Sequence, residues 1–233
     1  MRYFRLAMIP LLALVLVACQ STGELAQERP QLRPGTTKIA LMPIDVQLFE
    51  LTAGGLEEPK ADWTRQAEVH VRRAIGVVQT EKQLKLVDFD ASTLPLERQK
   101  VMDQLVRLHE VVGLEAFLQN RFPQLRPPTK QGHFDWSIGT EVQTIAEVTG
   151  ARYGLFVFMK DSYSSGGRVA LNVVVALLGG SVRGGTQLGY ASLVDLQTGQ
   201  IAWFGTLQRA AGDLRDQEPA EEAVRTMFAT LSN

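Results

Sequence analysis

The sequence predicts an α/β fold: a single domain of two or three layers, with a mixed sheet flanked by helices. Three stretches predict it. Residues 38–44 and 153–159 are short, continuous apolar runs, as expected of strands buried on both faces. Ile138, Val142, Ile145 and Ala146 recur at helical spacing and stop at Gly150, so the second run is entered in the order helix, glycine, strand. That order belongs to an α/β crossover and requires parallel pairing in part of the sheet. Residues 189–196 and 200–204 flank Gln197-Thr198-Gly199, a hairpin whose glycine suits a left-handed turn, so the rest of the sheet should be antiparallel.

In chain order, the first strand, 38–44, has Pro43 at or near its end, and 45–60 reads as a loop containing Ala53-Gly54-Gly55 and the acids Glu50, Glu57 and Glu58. These acids lack the spacing of a calcium loop, and a solvated loop face is the simpler reading. Asp62 is placed to cap a helix whose apolar stripe is Trp63, Ala67, Val71, Ala74, Ile75 and Val78, with His70 at its edge. Residues 84–88 alternate like a strand, and Asp88 and Asp90 would share a face if it continued. Pro95 opens another helix, with Val101, Leu105, Leu108 and Val112 on one face, His109 flanking it, and a break or bend near Gly113. Pro123, Pro127, Pro128 and Gly132 make 121–135 an exposed loop. Ala223, Met227, Phe228 and Leu231 suggest a closing helix over 218–231.

The N-terminus has the layout of an export signal: Arg2 and Arg5, then an apolar run from Leu6 to Ala18, then Cys19. The run is short of the ~20 residues that cross a bilayer. Leu16-Val17-Ala18-Cys19 resembles the bacterial lipoprotein cleavage box, which implies cleavage before Cys19 and acylation of its sulfur and new amino terminus. The competing reading is an ordinary buried thiol in an uncleaved anchor. In lipoproteins of Gram-negative type an aspartate after the cysteine holds the protein at the inner membrane. Here that position is Gln20, so the resemblance implies an outer-membrane protein facing the periplasm. Residues 19–36, with Pro30 and Pro34, read as lipidated cysteine and flexible tether, and 37–233 as the periplasmic domain.

Cleavage leaves 215 of 233 residues, enough for one large core. It also leaves 22 basic against 25 acidic side chains, a balance that lacks the concentrated basic field of a nucleic-acid binder. With the single cysteine acylated, no thiol remains for a disulfide, redox chemistry or a zinc-thiolate site. We expect no metal and no cofactor.

Residues 169–178 form an almost unbroken apolar run between glycines. It is too short to span a bilayer as a helix. Three readings stay open: an internal helix or strand, a surface that binds a partner or dips into lipid, and one strand of an oligomeric membrane barrel. Val169, Leu171, Val173, Val175, Leu177 and Leu178 are therefore the candidate contact residues. Neither phosphate-binding glycine motif is satisfied here.

The segments Ile-Ala-Leu-Met-Pro (39–43), Gly-Ala-Arg-Tyr and its strand (150–158), and Val-Asp-Leu-Gln-Thr-Gly-Gln-Ile-Ala-Trp (194–203) resemble the periplasmic domain of curli-secretion-type lipoproteins. They are similar also to the small outer-membrane lipoproteins that activate penicillin-binding proteins. The resemblance covers roughly residues 37–231. It implies an envelope component, but the chain lacks the second long amphipathic hairpin and the constriction motif that a secretion channel needs from each protomer.

The expected function is that of a non-catalytic, lipid-anchored adaptor that binds another envelope component, protein or glycan. A subunit of an oligomeric outer-membrane secretion channel is the first alternative. The second is a hydrolase using His133, Asp135 and a serine from 162–165. A hydrolase needs a nucleophile, a base within reach and an orienting group. The residue types are present without a G-x-S-x-G elbow.

Overall fold

The computed structural model describes residues 23–25, 30–130, 133–210 and 212–232. Arg2, Arg5, the apolar run and Cys19 lie outside the described residues. The strands are β1 (Gly23–Leu25), β2 (Lys38–Leu41), β3 (Asp45–Leu51), β4 (Glu57–Pro59), β5 (Lys85–Asp88), β6 (Tyr153–Ser164), β7 (Gln187–Asp195) and β8 (Ile201–Arg209). The helices are α1 (Ala61–Glu81), α2 (Leu96–Arg121), α3 (Gln143–Thr149), α4 (Gly166–Leu177) and α5 (Gln217–Met227).

The eight strands form one mixed sheet in the order β1-β8-β7-β6-β2-β5, with β3 also beside β6 and β4 beside β3. Strand β6 has two partners along the same edge: β2 pairs parallel with Tyr153–Leu155 and β3 parallel with Phe158–Ser164. Pro43, which has no N–H to give a ladder, stands where the chain passes from one partner to the other. The stretch expected to be a loop is therefore a hairpin of β3 and β4. Its signal was the alternation of Val46 and Leu48, which are buried, with half-buried Asp45, Gln47 and Phe49.

The sheet is the middle of three layers. Ala67, Val71, Ala74, Ile75 and Val78 of α1 and Ala220, Ala223, Val224 and Met227 of α5 cover one face, against Leu155, Val157 and Trp203. Met102, Leu105, Ala116 and Phe117 of α2 and Ile145 of α3 cover the other, against Phe156, Phe158, Tyr190 and Phe204. The expected α1 stripe is the buried one, but Asp62 lies in the first turn, and the N-cap residue is Lys60, whose side chain makes no capping bond. The helix expected over 218–231 ends at Met227.

Helix α2 differs from expectation in two ways. It runs unbroken through Gly113, and its buried face is Met102, Leu105, His109, Gly113 and Ala116, which leaves Leu108 exposed. Gly113 is needed for contact: a Cβ there would stand 2.3 Å from Cε2 of Tyr190. That ring cannot withdraw, because its hydroxyl donates to Glu110 O at 2.6 Å and its face stacks on Phe158. Gly113→Ala should therefore destabilise the protein by about 1–3 kcal/mol through overpacking, more than the ~1 kcal/mol that alanine returns in helix propensity. Gly76→Ala in α1 meets nothing within 4 Å. It should leave stability unchanged or raise it by up to ~1 kcal/mol. The urea midpoint should fall for Gly113→Ala and not for Gly76→Ala, and equal shifts in the two variants would refute the contact argument.

The segment read as a free tether is partly built into the body. Strand β1 adds to β8 in antiparallel register, Gly23 opposite Gly205 and Leu25 opposite Trp203. Further on, Leu32 is buried with the α1 and α5 core, the Gln31 amide donates to the Tyr153 hydroxyl at 3.2 Å, and Gly35 N donates to Gln83 O at 2.9 Å.

Candidate functional site

The apolar run 169–178 is neither internal nor a strand. It forms α4, capped by Ser165, whose hydroxyl accepts the Arg168 amide at 3.2 Å, and it has no buried residue. Glycines on both flanks let the chain leave β6 and return to β7; at Gly185 a Cβ would fall 1.8 Å from Ser162 O, so only glycine passes. Val169, Leu171, Val173, Leu177 and Leu178 are exposed and Val175 is half-buried, with Leu177 at 82% and Leu178 at 83%. An apolar helix held in solvent is costly to leave uncovered, which is why such faces mark contacts.

Beneath the root of α4 lies a polar cluster that the sequence did not signal. Asp161, on β6 and 1% exposed, accepts from the Tyr163 hydroxyl and Gln187 Nε2, each at 2.7 Å, and more weakly from Leu214 N at 3.4 Å. Burial outweighs these three bonds and pushes the carboxyl up to about 6. Burial, with Asp161 alongside, also pushes the Tyr163 phenol up. The Arg215 guanidinium lies 3.8 Å over the Tyr163 ring and pairs with Asp213 at 2.6 Å, which holds the Asp213 carboxyl down. Gln187 Oε1 is buried without a partner, facing a cavity of about 270 Å³. The cluster ties the 212–215 loop to β6. The one available clue was an acid inside an otherwise apolar strand; the loop partner is not readable locally.

The other polar residues singled out are dispersed. His109 is 2% exposed, with Nε2 2.7 Å from Ser192 Oγ, and burial alone pushes its pKa down to about 3, so it is neutral. This histidine–serine pair has no access to a substrate, and its order fixes α2 on β7. His70 Nδ1 lies 3.1 Å from Leu214 O. Asp88 pairs with Arg72, while Asp90 accepts from Ser92 N, so the two acids serve different neighbours. Glu50 pairs with Lys60 and Glu57 with Lys160, and among the described residues no acid, histidine and cysteine cluster could hold a metal.

The hydrolase set is not brought together. Asp135 is taken by Lys130 at 2.6 Å, and the loop holding it and exposed His133 is fastened where Ser137 bridges Gln200. Ser162 exchanges bonds with Thr186 and Ser165 caps α4, both at the opposite end of β6. A cleft of about 1180 Å³ at the Tyr153 end is lined by Arg33, Lys38 and Arg152, but Arg152 is already paired with Asp195 at 2.5 Å.

No protein-family model and no curated protein matches the chain. Solved structures similar to it include two of PelC. The PelC dodecamer from Paraburkholderia phytofirmans, in space group P6, aligns over 92% of this chain and 99% of its own at 13% identity, TM-score 0.41. A single-substitution PelC dodecamer from the same organism, in space group C2, aligns over 91% and 96% at 12% identity, TM-score 0.39. At that level of likeness the dodecameric state is a statement about PelC. No described helix is long and apolar enough to cross a membrane.

Proposed function

We propose that this chain is a lipid-anchored assembly lipoprotein of the bacterial envelope, held by acyl chains on Cys19 at the periplasmic face of the outer membrane, and that it works by contact without catalysis. The observation that carries this reading is α4, an apolar helix of which no residue is buried. Folding sets a cost on such exposure, and an evolved surface bears it where the face meets something else. The Leu-Val-Ala-Cys box supplies the anchor.

A second reading, a subunit of an oligomeric secretion assembly, is favoured by a second apolar face. Val111, Leu114, Phe122 and Leu125 are exposed along the outer side of α2 and the turn after it, with Leu118 half-buried between them. Residues at this spacing line one helical stripe, the kind of surface a subunit interface covers.

Photo-crosslinkers at Leu171 and Leu178 on α4, and at Val111 and Leu125, in intact cells test both readings. Adducts to a different envelope protein or to glycan support the adaptor, and adducts to a second copy support the oligomer. With the second copy as partner, the detergent-extracted protein should sediment as a large assembly. Absence of any discrete adduct, with a monomer in detergent, would refute both.

A further inference from the structure

Helix α4 has two unlike sides. Arg168, Asn172 and Val175 lie on one side and hold the helix to the returning chain. Arg168 Nε and Nη2 donate to Arg183 O at 3.1 and 2.7 Å, its Nη1 donates to Ala53 O at 3.3 Å, and Asn172 Oδ1 accepts from Val182 N at 3.2 Å. Val169, Ala170, Val173, Val174 and Leu177 fall on the opposite side of the wheel, exposed. Exposed Leu56 follows Ala53 in the β3–β4 hairpin that Arg168 grips.

Strand β1, followed toward its first residue, points to this same end. Strand β1 runs antiparallel to β8, so passing from Leu25 to Gly23 moves from Trp203 toward Arg209. Arg209 is level with Gln187, and Gln187 with Asp161, just before the root of α4. Three residues lie between Cys19 and Gly23, a reach of at most ~14 Å over four Cα steps. The spacing from β1 across β8 and β7 to β6 is also ~14 Å, three strand intervals. Gly23 is level with Val157, about seven residues before the end of β6, so a bilayer that holds Cys19 passes within ~14 Å of Gly23 and meets the root of α4 where it faces the end of the sheet to which β1 points.

We propose that α4 lies flat in the headgroup region of the bilayer that carries the Cys19 acyl chains, with Val169, Val173, Val174 and Leu177 dipping among the lipid tails. This names the occupant of the contact helix and rests on the reading of Cys19 as acylated. A twelve-residue helix is ~18 Å long, too short to span but suited to the interface plane. Charge agrees. From 162 to 194 the only charged residues are Arg168 and Arg183, both basic; Arg168 faces the body, and exposed Arg183, in the chain after α4, is the cation that anionic headgroups would attract. The acids of the neighbouring β3–β4 hairpin, Glu50, Glu57 and Glu58, are each paired to Lys60 or Lys160.

The test uses the full-length protein, purified from membranes and reconstituted in vesicles of phosphatidylethanolamine and phosphatidylglycerol. An environment-sensitive fluorophore is placed at Val173→Cys or Leu177→Cys, and for reference at Val148→Cys, exposed on α3 at the far end of the sheet. Emission at 173 and 177 should shift to the blue and be quenched several-fold more by acyl-brominated lipid than emission at 148. Equal quenching by aqueous iodide at all three positions would overturn the proposal. A blue shift that appears only as the protein-to-lipid ratio rises identifies a second copy as the occupant and overturns the lipid assignment while leaving the contact helix standing. Protein that fails to float with vesicles, with an unacylated N-terminal peptide by mass spectrometry, removes the anchor and the proposal with it.

Discussion

Cys19→Ser should remove the protein from the outer-membrane fraction altogether. Serine offers no sulfur for acylation, so cleavage before residue 19 and the lipid anchor fail together. The precursor should stay at the inner membrane, held by its uncut apolar run, at a mass larger by the signal segment and smaller by the acyl chains. A loss of at least a hundredfold is expected, because each buried methylene contributes ~0.8 kcal/mol and several long chains are lost at once. Membrane separation on a density gradient, with intact-mass measurement of each fraction, checks it. An unchanged distribution between the two membranes would show that the chain is held by something other than Cys19.

Asp161→Asn should change how stability depends on pH. The folded protein holds the Asp161 proton more tightly than the unfolded chain, since its pKa of about 6 lies above the ordinary 3.8. Its contribution to folding is therefore fully present below about pH 4 and lost as pH rises through about 6. At pH 8 the buried carboxylate costs about 3 kcal/mol relative to pH 4. Asparagine keeps an acceptor for Tyr163 and Gln187 without the charge. His109 works in the opposite direction: its contribution is present above its ordinary pKa and lost as pH falls toward 3. The wild-type curve mixes the two, so the informative quantity is the difference between variant and wild type in urea unfolding at pH 4 and pH 8. Asp161→Asn should be near wild type at pH 4 and more stable by up to about 3 kcal/mol at pH 8. A difference that does not vary with pH would refute the assignment.

The α/β architecture was legible because its signals are local. The doubly buried runs at 39–41 and 153–159, the helix ending at Gly150 with φ 64°, and the turn at Gly199 with φ 76° each announce themselves within a few residues. Helix α2 shows where local reading stops. Apolar residues lie on both of its sides, so a period of 3.6 admits two faces. Gly113 decides between them only because a ring from β7, far away in sequence, needs its space. The same holds for His109, read as a flank of the stripe and found buried against Ser192. For α4 the sequence gives composition without direction: ten apolar residues suit a core, a barrel strand or an exposed helix, and the placement beyond the end of β6 makes it the last. The Asp161 cluster unites β6, β7 and the 212–215 loop, residues whose separation in sequence hides their company.

With Cys19 acylated as proposed, the pairing of residues 23–25 with β8 shortens the leash between lipid and globule. Had all of 20–36 been slack, the body could have drifted some ~55 Å into the periplasm. With the first stitch only four residues from Cys19, a bilayer at that residue would stay within ~14 Å of the β1 edge of the sheet, and the cleft beside Arg152 and Lys38 lies at the end from which β1 points away. Whatever this protein meets on its outward side must come to it.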